Sequence, residues 1–444
     1  MYKKEYYGSP ISPKNSVHNN ITKVEHNMPR LYPAQMETQS LGRLWVNTVT
    51  ELGLRPIQNA TIRIAYTGDP TSVVEELTTD ELGRSPVIEL PAPPLEYSLD
   101  PAIFEQPYSV YTIQVTAEGF EEVEVSGAEI LPDVTAVQPI NMRVAQGEEV
   151  YVIPPHTLYG DYPPKIAEAE IKPTNETGEI VLPSVVVPEF VVVHDGPPSD
   201  TSAENYYVRY RDYIKNVASS EIYATWPEST ITANILAIMS FTLNRVYTEW
   251  YRNQGYNFTI TSSTAFDHKW MRGRNIYDNI GLAVDQVFNN FLSRPNVKQP
   301  ILTQYCDGRR VQCPGWMTQW GSKSLGDQGY TAIQIIKNFY GSDMYINSAN
   351  EVAGVPSSWP GANLTIGSRG DSVRQMQEQL NAIANVYSVI PRIAVDGTFG
   401  PQTEAAVRAF QQTFGLPANG IVDLPTWYRI SELYVAVTRI AELN

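Results

Sequence analysis

The chain has little from which to build a metal centre or a covalent scaffold. Its 444 residues include two cysteines and five histidines, too few for a disulfide-stapled fold, and the histidines form no HExxH pair. Cys306 and Cys313 could be one clip, two free thiols or part of a metal site, and the sequence leaves these alternatives open. No pair among His268, Cys306 and Cys313 has zinc-motif spacing, so neither a metal nor another cofactor is expected. Positive charge is short as well: 32 Lys plus Arg stand against 48 Asp plus Glu, for a net charge of -16. That field repels phosphate backbones and acidic lipid, which argues against nucleic acid and membrane partners. Long apolar runs are missing too. The first 32 residues are polar and broken by Pro10, Pro13 and Pro29, with no apolar core of the kind a Sec signal needs. Residues 231–247 contain Asn234 and Arg245 and are too short to span a bilayer, so they are expected to form a core helix.

What is present is a globular composition, 42% hydrophobic and 18% charged. On a prior of roughly 100–200 residues per domain, about two to four domains are expected. The first 40 residues read as a flexible pre-region. Residues 41–149 alternate with period two, as in Arg43-Leu44-Trp45-Val46, Thr61-Ile62-Arg63-Ile64-Ala65-Tyr66 and Tyr111-Thr112-Ile113-Gln114-Val115. With turn signals at Asp80 to Gly83, Pro91 to Pro94 and Glu118-Gly119, this predicts an all-β sandwich. Prolines crowd residues 150–202, which read as an extended linker that lies across its neighbours. Residues 203–350 mix helical periods with short strands and predict an α+β domain. In residues 361–444, Val373, Met376, Leu380 and Ile383 share one helical face, and Val407, Phe410 and Phe414 another, as in a small three-helix domain.

The C-terminal motifs are Gly367-Ser368-Arg369-Gly370, then Val373 and Gln377, then Val395-Asp396-Gly397-Thr398-Phe399-Gly400, Ala405-Ala406-Val407 and Phe410-Gln411. This run is similar to the type 1 peptidoglycan-binding domain family. The two glycines allow a tight turn between helices and leave a groove, so Asp396 and Gly397 are the expected contacts to glycan or stem peptide.

In the central segment, Val217-Ala218-Ser219-Ser220-Glu221, Thr225-Trp226-Pro227-Glu228 and the run from Met317-Thr318-Gln319-Trp320-Gly321 to Tyr330 resemble the stage II sporulation protein D / amidase-enhancer family. The resemblance implies lytic transglycosylation, with Glu221 as the catalytic acid and Glu228 as the competing candidate. Thr225-Trp226-Pro227-Glu228 fits a capping box, which would make Glu228 structural. Glu221 is expected outside the helix among aromatics, where partial burial raises its pKa and keeps it protonated. Gln319 and Trp320 offer an amide and an indole, suited to a sugar's hydroxyls and its apolar ring face. Cys313 stands where the family carries a histidine, and Met239 where it carries a helix arginine.

Glycoside hydrolysis generally uses two carboxylates. A lytic transglycosylase can work with one, which protonates the leaving oxygen and then accepts the proton of the attacking muramic acid hydroxyl. Glu221 without a matched partner favours transglycosylation, with Asp267 and Asp307 the other carboxylates of interest. The order of segments, including Val152-Ile153-Pro154-Pro155-His156, resembles the clostridial germination-specific spore-cortex-lytic enzymes of the SleC type. That resemblance implies a zymogen of the spore cortex and coat region, cleaved by a subtilisin-like germination protease; the short, polar, glycine-containing run Ala145-Gln146-Gly147-Glu148-Glu149 places the expected cut between Arg143 and Tyr151. It also implies a substrate of cortex peptidoglycan carrying muramic-δ-lactam. The rival readings are a non-catalytic amidase activator and an N-acetylmuramoyl-L-alanine amidase.

Overall fold

A computed structural model describes residues 40–50, 55–144, 147–156, 158, 162–173, 182–349, 351–354 and 359–438. Residues 1–39 of the expected pre-region and Ala145-Gln146 of the expected cleavage window lie outside them.

The period-two segments form two sheets. In the first, the Ser40–Thr50 strand pairs antiparallel with Ile88–Ala92 and parallel with Thr135–Met142. The second runs Asp69–Thr78, Thr61–Tyr66, Ser109–Thr116, Glu122–Ile130 and Glu148–Val152, the last pair parallel and the others antiparallel. Alternation puts Leu44, Val46, Ile62, Ile64, Ile113 and Val125 into one core, each fully buried. The turn at Asp80 is held by its carboxylate, which accepts the N–H groups of Leu82 and Arg84 at 2.9 Å each. Gly83 is required there: at φ +71° an added Cβ would lie 2.2 Å from the Thr48 carbonyl oxygen.

The first sheet does not end within its own segment. The Ile276–Tyr277 strand, from the central part of the chain, pairs antiparallel with Thr135–Met142. Below this junction Arg274 donates to Glu129 at 2.9 Å, with both side chains buried. Asn275 and Glu129 exchange two further bonds, at 2.9 and 2.8 Å.

The central segment packs around the Glu228–Tyr247 helix, which is buried along nearly its whole length. Buried polar side chains tie it to its neighbours: Asn234 donates to Ser322 at 2.9 Å, Ser240 to the Ile301 carbonyl at 2.7 Å and Asn244 to the Pro300 carbonyl at 2.7 Å. Among the described residues no helix is long and apolar enough to cross a membrane.

The proline-rich stretch contributes structure of its own. Its Phe190–His194 strand is the middle strand between Asn205–Arg209 and Ile260–Thr261, and Val186–Val187 pairs with Glu351–Val352. Residues 162–173 have no regular secondary structure, and two core glutamines act as their hydrogen-bonding partner. Gln304 accepts the Glu168 N–H at 2.9 Å and donates to the Ile166 carbonyl at 2.7 Å. Gln299 accepts the Lys172 N–H at 3.0 Å and donates to its carbonyl at 3.1 Å. The chain lies across the core as a strap whose backbone groups bond to these side chains and to the main chain of Ala265 and Leu302.

The C-terminal segment holds helices Asp371–Ala384, Pro401–Thr413 and Leu424–Thr438, and its turns are built twice to one plan. Gln377 accepts the Gly397 N–H at 2.8 Å and donates to the Thr398 carbonyl at 3.0 Å. Gln411 accepts the Gly420 N–H at 2.8 Å and donates to the Ile421 carbonyl at 2.8 Å. Both glutamines are buried, so a truncation strands a buried N–H. Gln377→Ala should therefore destabilise this segment by about 1–3 kcal/mol, read as a lower denaturant midpoint with an unchanged slope.

Candidate functional site

Glu221 is the last residue of the Tyr210–Glu221 helix rather than a loop residue outside it. The helix end is set by its neighbours: the Ile222 N–H still bonds to Ala218, but Ile222 is extended. The side chain is 1% exposed. One carboxyl oxygen accepts the Lys269 backbone N–H at 2.8 Å, and the other the Gln319 amide at 3.2 Å. The same amide donates to the Glu221 backbone carbonyl at 2.7 Å, so Gln319 fixes both the main chain and the side chain. Burial raises the Glu221 pKa, while Lys165, the Lys269 N–H and Gln319 oppose the shift.

Gln319 and Trp320 open the Gln319–Asp327 helix, directly after the Met317–Thr318 strand that pairs with Tyr305–Cys306. Cys306 and Cys313 form a disulfide, which settles the alternatives left open by sequence and closes the loop leading into this strand pair. Trp320 is 9% exposed and packs 5.0 Å from Trp226 and 6.1 Å from Tyr223, ring to ring. Sequence reasoning thus brought Glu221, Gln319 and Trp320 to one place. Asp396 and Gly397 belong to the C-terminal segment. There one oxygen of the exposed Asp396 carboxylate, Oδ1, accepts the Thr398 N–H at 2.8 Å and the Gln377 amide at 3.1 Å and so holds a turn.

The capping box expected at Thr225 and Glu228 is not formed. Pro227 is the N-cap, with no side-chain cap bond; the Thr225 hydroxyl donates to Ser98 at 2.8 Å instead, and Glu228 is exposed. A capping box forms at Thr331 and Gln334. The local pattern was outweighed by a tertiary contact, since the Trp226 indole also donates to the Ser98 carbonyl, at 2.8 Å.

The two other carboxylates of interest are fully engaged. Asp267 receives Arg245 at 2.7 Å on one oxygen, and the Tyr251 hydroxyl at 2.6 Å with the Thr261 hydroxyl and N–H at 2.7 and 2.9 Å on the other. Asp307 accepts the backbone N–H groups of Arg309, Arg310 and Val311 at 2.9–3.1 Å. Both are buried struts of the core and the disulfide loop, not partners for a water or a sugar.

Sequence reasoning gave no place beside Glu221 to three groups that the structure brings there. His156 contacts Glu129 at 3.0 Å through one ring nitrogen and the Ser220 carbonyl at 3.1 Å through the other. Lys165 is buried on the strap and donates to the Asp267 carbonyl. His268 is fully buried against Tyr213, Phe241 and Tyr305. A charged residue inside a proline-rich stretch has no local signature, and only the strap's path brings it inside. Among the described residues no three His, Cys, Asp or Glu side chains gather as a metal set.

Residues 369–430 match the family described as "Putative peptidoglycan binding domain". The match falls on the C-terminal helical segment. The chain is 41% identical over 76 residues to the zinc D-Ala-D-Ala carboxypeptidase of Streptomyces albus G, a stretch covering 17% of this chain and 28% of that enzyme. The chain thus spans less than a third of that relative's length. Among solved structures it is similar to the N-terminal domain of SleB, at 29% identity, 17% of this chain, 97% of that one and a TM-score of 0.15. It is also similar to the TIE protein of Bacillus anthracis, at 14% identity, 24% and 17% coverage and a TM-score of 0.17. Neither likeness reaches a TM-score that bears on the fold of this chain.

Burial holds His268 well below the usual histidine range, with Lys165 and Arg245 adding to the effect. A base depressed in the folded state contributes stability that is present above its unfolded pKa, about 6.5, and is lost as pH falls below it. The slope approaches about 1.4 kcal/mol per pH unit. Urea unfolding at pH 7.5 and pH 5.5 should show this loss in the wild type and a flatter dependence in His268→Phe.

Proposed function

We propose that this chain is a peptidoglycan-lytic enzyme that cleaves the MurNAc-GlcNAc bond by lytic transglycosylation, with Glu221 as acid and then base. The observation that carries this reading is a single buried carboxyl with a raised pKa, held by Gln319 and the Lys269 N–H, while Asp267 and Asp307 are consumed by structural bonds. A protonated Glu221 can give its proton to the glycosidic oxygen. The carboxylate left behind can take the proton of the muramic acid C6 hydroxyl as that oxygen closes on the anomeric carbon, so no second carboxylate is needed. Gln319 orients the glutamate, and Trp320 with Tyr223 and Trp226 offers ring faces to sugars. The peptidoglycan-binding module would keep the enzyme on its polymer.

In the SleC-type reading the substrate is cortex peptidoglycan carrying muramic-δ-lactam, the enzyme is stored in the spore, and a subtilisin-like protease cuts between Arg143 and Tyr151. Latency is supported by the way the β-sheet segment covers the aromatic cluster. Ser98 receives Thr225 and Trp226, and Arg309 donates to the Ile103 carbonyl at 2.9 Å while lying 3.8 Å from the Phe104 ring centre. A non-catalytic activator of a separate amidase is the second reading. It is favoured by the family match being confined to the binding module.

Mass analysis of a cortex digest separates these readings. Anhydromuramic ends that disappear in Glu221→Gln and persist in Glu228→Gln support transglycosylation; ends retained by Glu221→Gln overturn the assignment. Free stem peptides would point to an amidase, and no products without a partner enzyme to an activator.

A cut in the expected window breaks the chain but leaves the Thr135–Met142 pairing with Ile276–Tyr277 and the buried Glu129–Arg274 pair intact. After limited proteolysis the two fragments should therefore co-elute on size exclusion in mild buffer and part only in denaturant.

A further inference from the structure

The strap places a second charged group in the enclosure of Glu221. Lys165 lies between the rings of Phe241 and Tyr305, 4.8 and 5.4 Å from their centres. Those two rings also flank His268, at 4.5 and 5.9 Å. The backbone on either side of His268 then serves both charged groups: the Asp267 carbonyl receives the Lys165 ammonium, and the Lys269 N–H donates to Glu221. Ammonium and carboxyl are thus tied to one short segment, in a compartment with Lys165 7% and Glu221 1% exposed.

The strap does not deliver Lys165 loosely. Ile166 donates its N–H to the Ala265 carbonyl at 2.7 Å, Glu168 binds Arg245 at 2.6 and 2.9 Å, and Glu170 pairs with Arg294. With the backbone bonds to Gln299 and Gln304, anchors on both sides of Lys165 fix its place. All of them lie after the expected cleavage window, so a cut chain keeps them.

We propose that Lys165 is a positioning residue for Glu221: the strap carries its ammonium into the same enclosure, where it acts as the counter-charge that decides between the acid and the carboxylate form of Glu221. This rests on the reading of Glu221 as acid and base. An acid that must also serve as base needs its two forms close in energy. Burial alone favours the acid, and the ammonium pulls the other way. Burial brings Lys165 itself down to about 8, with Glu221 and Asp267 holding it up. The other charged and titratable groups facing the pair are Asp267, Arg245 and Glu168 around Lys165, and His156 and Lys269 around Glu221, with Tyr213 and His268 between them.

The test reads Glu221 directly. In the full chain with carboxyl-13C glutamate, a difference spectrum against Glu221→Gln isolates the Glu221 carboxyl, and its titration is followed in wild type, Lys165→Met and Lys165→Arg. Removing the cation should move the midpoint up by about one pH unit or more, and Lys165→Arg should restore it toward wild type. Lys165→Gln, which keeps a donor toward the Asp267 carbonyl, should shift it in the same direction and replaces the methionine variant if that one does not fold. A folded Lys165→Met or Lys165→Gln with an unmoved midpoint overturns the proposal. A midpoint that moves in a protein releasing no anhydro-muropeptides even after cleavage in the window between Arg143 and Tyr151 supports the role of Lys165 and removes the lytic reading instead.

Discussion

The buried Glu129 carboxylate is the joint on which the rest of the structure depends. It sits on a strand of the β-sheet segment, receives Arg274 from the central segment, and meets His156 from the start of the proline-rich stretch. Burial alone would push this carboxyl up, but Arg274 and His156 hold it below the ordinary range. Arg274 also donates to the Ser220 hydroxyl at 3.1 Å, and His156 meets the Ser220 carbonyl, so both partners of Glu129 converge one residue before Glu221. Three separate stretches of sequence therefore locate the end of the Tyr210–Glu221 helix. Replacing a buried ion pair with apolar residues is often neutral, whereas removing one partner costs about 3–5 kcal/mol.

Much of the architecture was legible in local pattern. Period-two alternation located strands such as Thr61–Tyr66 and Ser109–Thr116, and the apolar face of Val373, Met376, Leu380 and Ile383 located a helix of the C-terminal module. The illegible parts depend on contacts between residues distant in sequence. Gln319 and Glu221 are 98 residues apart, and Arg274 and Glu129 are 145 apart. The proline-rich stretch reads as a linker because proline forbids regular pairing, and nothing local reveals that Gln299 and Gln304 supply the missing partners. The capping box at Thr225 failed for a related reason: its residues suit the motif, but the Ser98 contact used them first.

The duplicated turn of the C-terminal module carries a similar lesson about sites. Asp396 and Gly397 attract attention as a polar turn in a recognisable motif, yet Gln411, Asn419 and Gly420 repeat the same bonds a helix later. A feature built twice around a buried glutamine is explained by the needs of helix connection.

The burial of Glu221 also constrains how a polymer could reach it. A carboxyl 1% exposed cannot protonate a glycan chain without some element moving aside. The two coverings differ in what must be lost. The loop carrying Ser98, Ile103 and Phe104 is held over the aromatic cluster by the bonds from Thr225, Trp226 and Arg309, each with a net value of about 1 kcal/mol. The Glu129 joint would leave an uncompensated buried charge if it parted. Opening at the loop is thus the less costly motion, and it uncovers Tyr223, Trp226 and Trp320 while the Ser220 end of the helix that carries Glu221 stays clamped. On this argument the β-sheet segment has two roles at once: its loop blocks the aromatic surface, and its Glu129 strand holds in place the helix that carries Glu221.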